Sequence, residues 1–414
     1  MKSLHDHDQL KHLLLDMIST LRPLAAERTA ALSDANWETL CHMAGQHRLG
    51  PILHHQCQTL GKDWRIPDGV RSRWANAYRQ SAIRALSFKK GMQELAALLE
   101  SAGVSFAALK GSWLAQHAYP HPALRPMRDI DILVSPSAAL LTFDLLAKSG
   151  YRRLPHDVAP VDHVFAHHKH LPALICPQSG RTVEVHTRLI EKLPKGELRH
   201  TIADTDALLQ RRIWGDSREF KLPYLEPTDT LLHLIVHSAC DHQFNNGPLI
   251  LNDVAVILTR HKIDWIRFWR MADIAGWTRA SELILELTRH YHGNLSYDDP
   301  QPRAGVGCAE VLESSALLTL LDFDETSTIF FRKEVSGKFW SREALDYFWQ
   351  QAFPSKHQIA HFAKLPLESP WVWAHLPVWA FTRSRQVVFK KIDPDVTADA
   401  QRAALVEKWL GGGI

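Results

Sequence analysis

Apolar residues follow three successive rhythms along this chain. Between residues 8 and 105 they recur every three or four positions, as in Leu10, Leu13, Leu14, Met17 and Ile18, which is the stripe of an amphipathic helix. Ser33-Asp34 offers a cap for a helix carrying Trp37, Leu40 and Ala44, and His47-Arg48-Leu49-Gly50-Pro51 then breaks the pattern. Val70 to Ala102 keeps helical spacing without a proline, and Gly103 supplies a stop. The rhythm then shortens. Val104–Leu109 reads as a strand, Trp113–Tyr119 as a helix, and Pro120, Pro122 and Pro126 as a stiff loop. A strand is predicted over 129–134 and a helix over Ser137–Ser149, followed by extended pieces at Tyr151–Leu154, His163–His170, Ala173–Cys176 and Arg181–His186. From Pro227 helical spacing returns: a helix capped by Thr228 or Asp229 and running through His242, then Ile250–Leu258, Asp264–Ala275 and Leu283–His292.

These rhythms predict an α+β chain in four parts. A helical region covers 1–103 and an α/β core 104–226; a helical bundle covers 227–300 and a mixed, mostly helical remainder 301–414. Residues 293–310 read as a break, and Gly411 to Ile414 as a frayed tail. Repeats and low-complexity tracts are absent from the sequence.

Composition narrows the class. At 414 residues, with 45% hydrophobic and 22% charged content, the chain has ample material for a buried core. A net charge of +3 argues against a protein that coats nucleic acid. The five cysteines, 41, 57, 176, 240 and 308, are scattered and form no Cys-x-x-Cys pair, which fits a reducing cytoplasm. The N-terminal residues lack the apolar core of a signal peptide, and no apolar run reaches the length of a transmembrane helix. Trp371, Trp373, Trp379 and Phe381 read as a packed helix or a partner surface. The basic Arg383, Arg385, Lys390 and Lys391 that follow leave membrane-surface contact as an alternative.

The chemistry concentrates in the middle. Asp129 and Asp131 lie two apart on one strand and therefore project from one face. Two carboxylates side by side repel each other unless a cation sits between them, and Mg²⁺ favours such oxygens together with substrate phosphates. Glu184, between Val183 and Val185, would bring a third carboxylate if its strand is a neighbour; three could hold two Mg²⁺ ions for in-line displacement at phosphorus, with Mn²⁺ as an alternative ion. Upstream, Gly111 permits close approach to a phosphate and Ser112 adds a hydroxyl, while Lys110, Arg125 and Arg128 offer positive charge. His233, His237 and Asp241 share a helix face, but Leu234 occupies the position of a zinc protease's glutamate; a polar face lining an acceptor cleft is the alternative. Asp253 is read as a bridge in the bundle or a substrate contact. His168 and His170, with His186 nearby, are further acceptor-side candidates.

Gly111-Ser112, Asp129-x-Asp131 and a later acidic strand residue resemble the polymerase-beta-type nucleotidyltransferase superfamily. More closely, Leu109-Lys110-Gly111, Tyr119-Pro120, Arg125 through Val134 and Val183-Glu184-Val185-His186 resemble the bacterial uncharacterised nucleotidyltransferase family; His233-x-x-x-His237 and Asn252-Asp253 resemble its helical half. The resemblance covers residues 35–290. It implies a nucleotidyltransferase-like mixed sheet and transfer of a nucleoside monophosphate from an NTP to a hydroxyl or phosphate acceptor. The acceptor would be a small molecule, a peptide or a glycan precursor, because such genes often accompany natural-product, peptide-tailoring or surface-polysaccharide genes. Asp129, Asp131 and Glu184 would be the catalytic metal ligands, with Lys110, Gly111 and Ser112 on the triphosphate, while His186, His233, His237 and Asp253 would face the acceptor. Two departures stand out: the segment from Ser112 to Asp129 is longer than is usual, and Glu stands at 184 where Asp is commoner. Phosphoryl or sugar-phosphate transfer at the same site, or a non-catalytic nucleotide-binding scaffold, are the competing readings.

Overall fold

In the computed structural model the described residues are 4–19, 21–22, 24–59, 63–154, 159–176, 178–190, 204–215, 222–293, 295, 305–322, 325–326, 329, 333, 356–363, 365, 369–384 and 394–412. The chain opens with helices α1 (Leu4–Met17), α2 (Glu27–Ala30), α3 (Asp34–Gln46) and α4 (Gly50–Thr59), followed by the 34-residue α5 (Asp68–Ser101). Ser33 caps α3 in a reciprocal capping box with Asn36, so two amide donors at the helix start are satisfied. Trp37, Leu40 and Ala44 are buried on its inner face. The interruption at His47-Arg48 is short, because α4 starts at Gly50. Gly50 permits α4 to lie close on α5: a Cβ there would sit 2.7 Å from that of Ala77.

Seven strands form one mixed sheet among the described residues: β1 (Phe106–Ala108), β2 (Asp129–Val134), β3 (Arg152–Arg153), β4 (Leu174–Ile175), β5 (Thr182–His186), β6 (Ile213–Trp214) and β7 (Pro223–Tyr224). Their spatial order is β3-β4-β5-β2-β1-β7-β6. β2 is antiparallel to β1 and parallel to β5, with Asp131 opposite Glu184 and Asp129 opposite Thr182. Ile130, Ile132, Val183 and Val185 alternate to the other face and are buried, which holds that register. After β1 comes a single turn, α6 (Gly111–Trp113), continued by a π-helical turn over Leu114–Ala118. The β2–β5 crossover carries α7 (Ala139–Lys148) and α8 (Val161–His167).

α8 corrects one expectation. Residues 163–170 do not run as a strand: Val161, Val164 and Phe165 turn inward at helical spacing, and Val164 is buried. His168 lies beyond the helix end, and His170 alone makes an isolated bridge with His186.

Helix α9 (Thr205–Gln210) precedes β6, and the bundle follows β7: α10 (Pro227–Val236), α11 (Leu249–Arg260), α12 (Trp265–Ala275) and α13 (Thr278–His292). The side chain of Glu226, rather than Thr228 or Asp229, caps α10. Asp229 instead is buried and paired with Arg211 and Arg267. α10 does not continue as an α-helix to His242; residues His237–Asp241 form a second π-helical turn. Beyond the break come α14 (Ala309–Leu318), α15 (Lys356–Ala363), α16 (Leu376–Ser384) and α17 (Pro394–Leu410). α17 packs on α14, and Lys11 of α1 reaches Asp399 of α17 at 3.3 Å with both side chains buried. One apolar cluster therefore extends from Leu10 to Trp409. Trp371 and Phe381 are exposed and Trp379 is buried, while Arg385, Lys390, Lys391 and the side chain of Arg383 lie outside the described residues.

The Gly50–Ala77 approach has a measurable cost. Gly50→Ala should lower stability by about 1–3 kcal/mol through overpacking, seen as a lower urea midpoint at unchanged slope. A midpoint equal to that of the parent protein would show that the two helices part without penalty.

Candidate active site

The parallel pairing of β2 with β5 sets Asp129, Asp131 and Glu184 on one sheet face, at the wall of a cleft of about 540 Å³. His186 lies one alternation beyond Glu184, fully buried, and donates Nε2–H to Asp131 Oδ1 at 2.9 Å. The same nitrogen is 3.5 Å from Glu184 Oε2. Asp131, Glu184 and His186 offer ligand atoms all within 4.8 Å of one another. Lys110 closes the group, with Nζ 3.4 Å from Asp131 Oδ2.

These contacts separate the carboxylates electrostatically. Burial and the charges of Asp131 and Glu184 push Asp129 up to about 7. Burial acts on Asp131 in the same direction, but Lys110 and the His186 hydrogen bond outweigh it and hold that carboxyl well below its usual range. Glu184 is likewise lowered, burial being outweighed by His186. His186 is raised: burial opposes its charge, and hydrogen bonds to Asp131 and Glu184 prevail. Burial and Lys110 instead lower His233 and His237, which stay neutral.

Backbone irregularity gathers here as well. Among the described residues, the non-glycine positions with positive φ are Arg48 (56°), Lys110 (46°), Gln243 (47°) and Phe244 (67°). Arg48 and Lys110 line the cleft, and Gln243-Phe244 lead into Asn245 and Asn246, which also line it. Such conformations cost about 1–3 kcal/mol each and persist where the surroundings impose them. One of the two π-helical turns carries His237 and Asp241, which line this cleft.

The other expected residues divide. Gly111, Arg128, His237 and Asp253 line the cleft with the carboxylates. A Cβ at Gly111 would lie 3.2 Å from the Met127 side chain and 3.7 Å from an Arg125 nitrogen, so glycine suits a crowded turn. Ser112 is 2% exposed, its hydroxyl has no hydrogen-bond partner among the described residues, and it lies off the cleft wall. His233 is buried behind that wall. Arg125 is committed elsewhere, its Nε 2.8 Å and a terminal nitrogen 2.9 Å from the carboxylate oxygens of Asp253. Tyr119 donates its hydroxyl proton to the same carboxylate at 2.7 Å. Asp253 thus bridges the Pro-rich loop to α11.

Sequence reading missed Lys169, whose Nζ lies 2.6 Å from Asp241 on the cleft wall, and also Arg48, Asn245 and Asn246. Position 169 sits inside the His163–His170 run, so that polar cluster was its only local signal.

The pattern of the family described as "Uncharacterised nucleotidyltransferase" matches residues 33–293, more than half the chain. This chain belongs to that family. It is accordingly a transferase enzyme of the nucleotidyltransferase class, and its mixed sheet with flanking helices is the α+β fold expected. No curated protein and no solved structure matches it. In this nucleotidyltransferase no described helix is long and apolar enough to cross a membrane. The five cysteines form no disulfide with one another.

Two outcomes follow from the site. Between about pH 4 and pH 7 the unfolded chain has released the Asp129 proton while the metal-free folded protein still holds it, so this group's contribution to stability falls as pH rises. In EDTA, Asp129→Asn should flatten that pH dependence and be the more stable protein at pH 8; an unaltered dependence of Tm on pH would contradict the coupling. Arg125→Ala strands the buried Asp253 carboxylate and should cost about 3–5 kcal/mol in chemical denaturation. A loss below 1 kcal/mol would show that the pair does not hold the loop.

Proposed function

We propose that the enzyme transfers a nucleoside monophosphate from an NTP to a hydroxyl or phosphate acceptor, with Mg²⁺ at the carboxylates. The register that sets Asp131 beside Glu184, with Asp129 on the same face of the cleft, carries this reading. The donor set fits a hard divalent cation: Asp129, Asp131 and Glu184 supply oxygens, and Asp129 is raised by its burial and then by the negative charge of the other two. His186 favours a supporting role, because its hydrogen bonds fix the orientation of Asp131 and Glu184. Bound Mg²⁺, two ions in this reading and replaceable by Mn²⁺, would neutralise phosphate charge at that face.

The remaining chemistry falls to the chain's own groups. Lys110, Gly111 and Arg128 face the cleft where the triphosphate would lie, the glycine admitting close backbone approach and the cations balancing charge. The acceptor oxygen forms a bond to the α-phosphorus as the bond to the pyrophosphate oxygen breaks; the electron pair leaves with pyrophosphate and the acceptor proton passes to solvent. The neutral His237 offers the acceptor a hydrogen bond without adding charge. Five cysteines that form no disulfide with one another support a reducing cytoplasm as the setting. Resemblance to a family found beside tailoring and surface-polysaccharide genes supports a biosynthetic acceptor.

The test is mass spectrometry of candidate acceptors incubated with mixed NTPs and Mg²⁺, with pyrophosphate measured in parallel. An added NMP with equal pyrophosphate is expected. Asp131→Asn should reduce turnover at least about a hundredfold, the scale on which losing one electrostatic stabiliser of a transition state acts. Transfer of bare phosphate, or full activity in that variant, would overturn the assignment.

A further inference from the structure

A second cavity, of about 660 Å³, adjoins the carboxylate cleft, and Arg48, Arg125, Pro126 and Met127 line both. Its walls come from α3, the start of α4, and α5, all outside the sheet that carries the acidic residues. The volume is that of a small-molecule site. Trp74 and Phe88, both buried, give it an apolar aromatic side.

Four arginines line this space, Arg48, Arg73, Arg84 and Arg125. Three of its charged residues are paired off within the protein: Arg73 with Glu38, which also lines the cavity, through two hydrogen bonds, and Arg125 with Asp253. Arg48 and Arg84 make no ion pair or side-chain hydrogen bond among the described residues. Trp74 is 2% exposed, and among the described residues its indole N–H has only the weakly accepting Cys41 thiol nearby. A buried N–H left in this state costs free energy that a bound acceptor atom would return. Burial and the neighbouring arginines 128 and 84 lower Arg48 to about 10, with the Asp129 carboxylate acting against them, so cations outnumber anions around this guanidinium.

We propose that this second cavity is the acceptor site of the transferase, and that its ligand is a small anion with an apolar body. The carboxylate or phosphate would lie against Arg48 and Arg84, and the apolar body against Trp74 and Phe88. This rests on the nucleotidyl-transfer reading and adds to it a substrate class. The shared wall lets one end of such a molecule meet the NTP while its body stays outside the nucleotide cleft. An aromatic acid or aryl phosphate carrying a hydroxyl has the required chemistry, as does an aryl phosphate whose own phosphate oxygen is the nucleophile. In either case that oxygen gains the α-phosphorus and pyrophosphate departs.

The probe is 8-anilinonaphthalene-1-sulfonate, an aromatic anion, titrated into the full chain with fluorescence readout and displaced by benzoate, phenyl phosphate or neutral benzyl alcohol. Gly45 lines the cavity, and a Cβ there meets nothing within 4 Å, so Gly45→Trp can fill the space without a clash at its root. Arg84 is exposed, which makes Arg84→Glu a surface charge reversal. Both variants should weaken probe binding at least tenfold while keeping the parental Tm and the parental affinity for Mg²⁺·ATP, titrated separately by calorimetry. Displacement by phenyl phosphate alone, or by benzoate alone, identifies the anion; displacement by neither, or equally by benzyl alcohol, overturns the proposal. Mg²⁺·ATP must leave the probe in place, because donor and acceptor have to be bound together. If ATP expels the probe, the cavity belongs to the nucleotide and the proposal fails. If the parent protein binds the anions but no Mg²⁺·NTP, the anion site survives and the transferase reading falls.

Discussion

The repulsion among three carboxylates on one sheet face is the constraint around which this nucleotidyltransferase is organised. Parallel pairing places Asp131 directly beside Glu184, and the strand period adds Asp129 to the same surface. Left alone, that charge would oppose the pairing that creates it. The fold answers with Lys110, aimed at Asp131 from a left-handed backbone, and with His186, buried one alternation further along β5. Burial of Ile130, Ile132, Val183 and Val185 on the opposite face keeps the strands in register despite the repulsion. The strain at Lys110 and the charge at Asp129 are thus two expressions of one arrangement, in which apolar packing behind the sheet offsets electrostatic cost in front of it.

Much of this frame was legible in the sequence because it is local. Alternation in Arg181–His186 and in 129–134 marks strands whichever partner they take, and Ser33-Asp34 marks a helix start. Legibility failed where the deciding partner is distant or the residue type is ambiguous. Histidine is neither firmly apolar nor firmly exposed, so the run from His163 to His170 carried no clear period, and the core contacts of Val161 and Phe165 decided for a helix. Arg125 looked like a phosphate ligand because Asp253, 128 residues away, is invisible to any local window. The π-helical turns left no trace in spacing; they insert a residue into a ladder whose apolar pattern still reads as helix.

The second cavity was illegible for the same reason. Its walls are helices that read as ordinary amphipathic elements, and only their packing leaves a space between them. The close approach permitted by Gly50 brings α4 onto α5 beside that space, so a small residue in the helical region shapes the surroundings of a site the sheet would otherwise define alone. Lys11 and Asp399 likewise tie the first helix to the last, which places the helical region and the C-terminal segment in one structure.

The buried pair of Arg125 and Asp253 has a kinetic consequence. Arg125, Pro126 and Met127 form the partition between the two cavities, and the ion pair, with Tyr119 bonded to the same carboxylate, fixes that partition to α11. In the proposed two-site arrangement, a divider pinned in this way gives each ligand a surface that does not depend on the other, so neither substrate need arrive first.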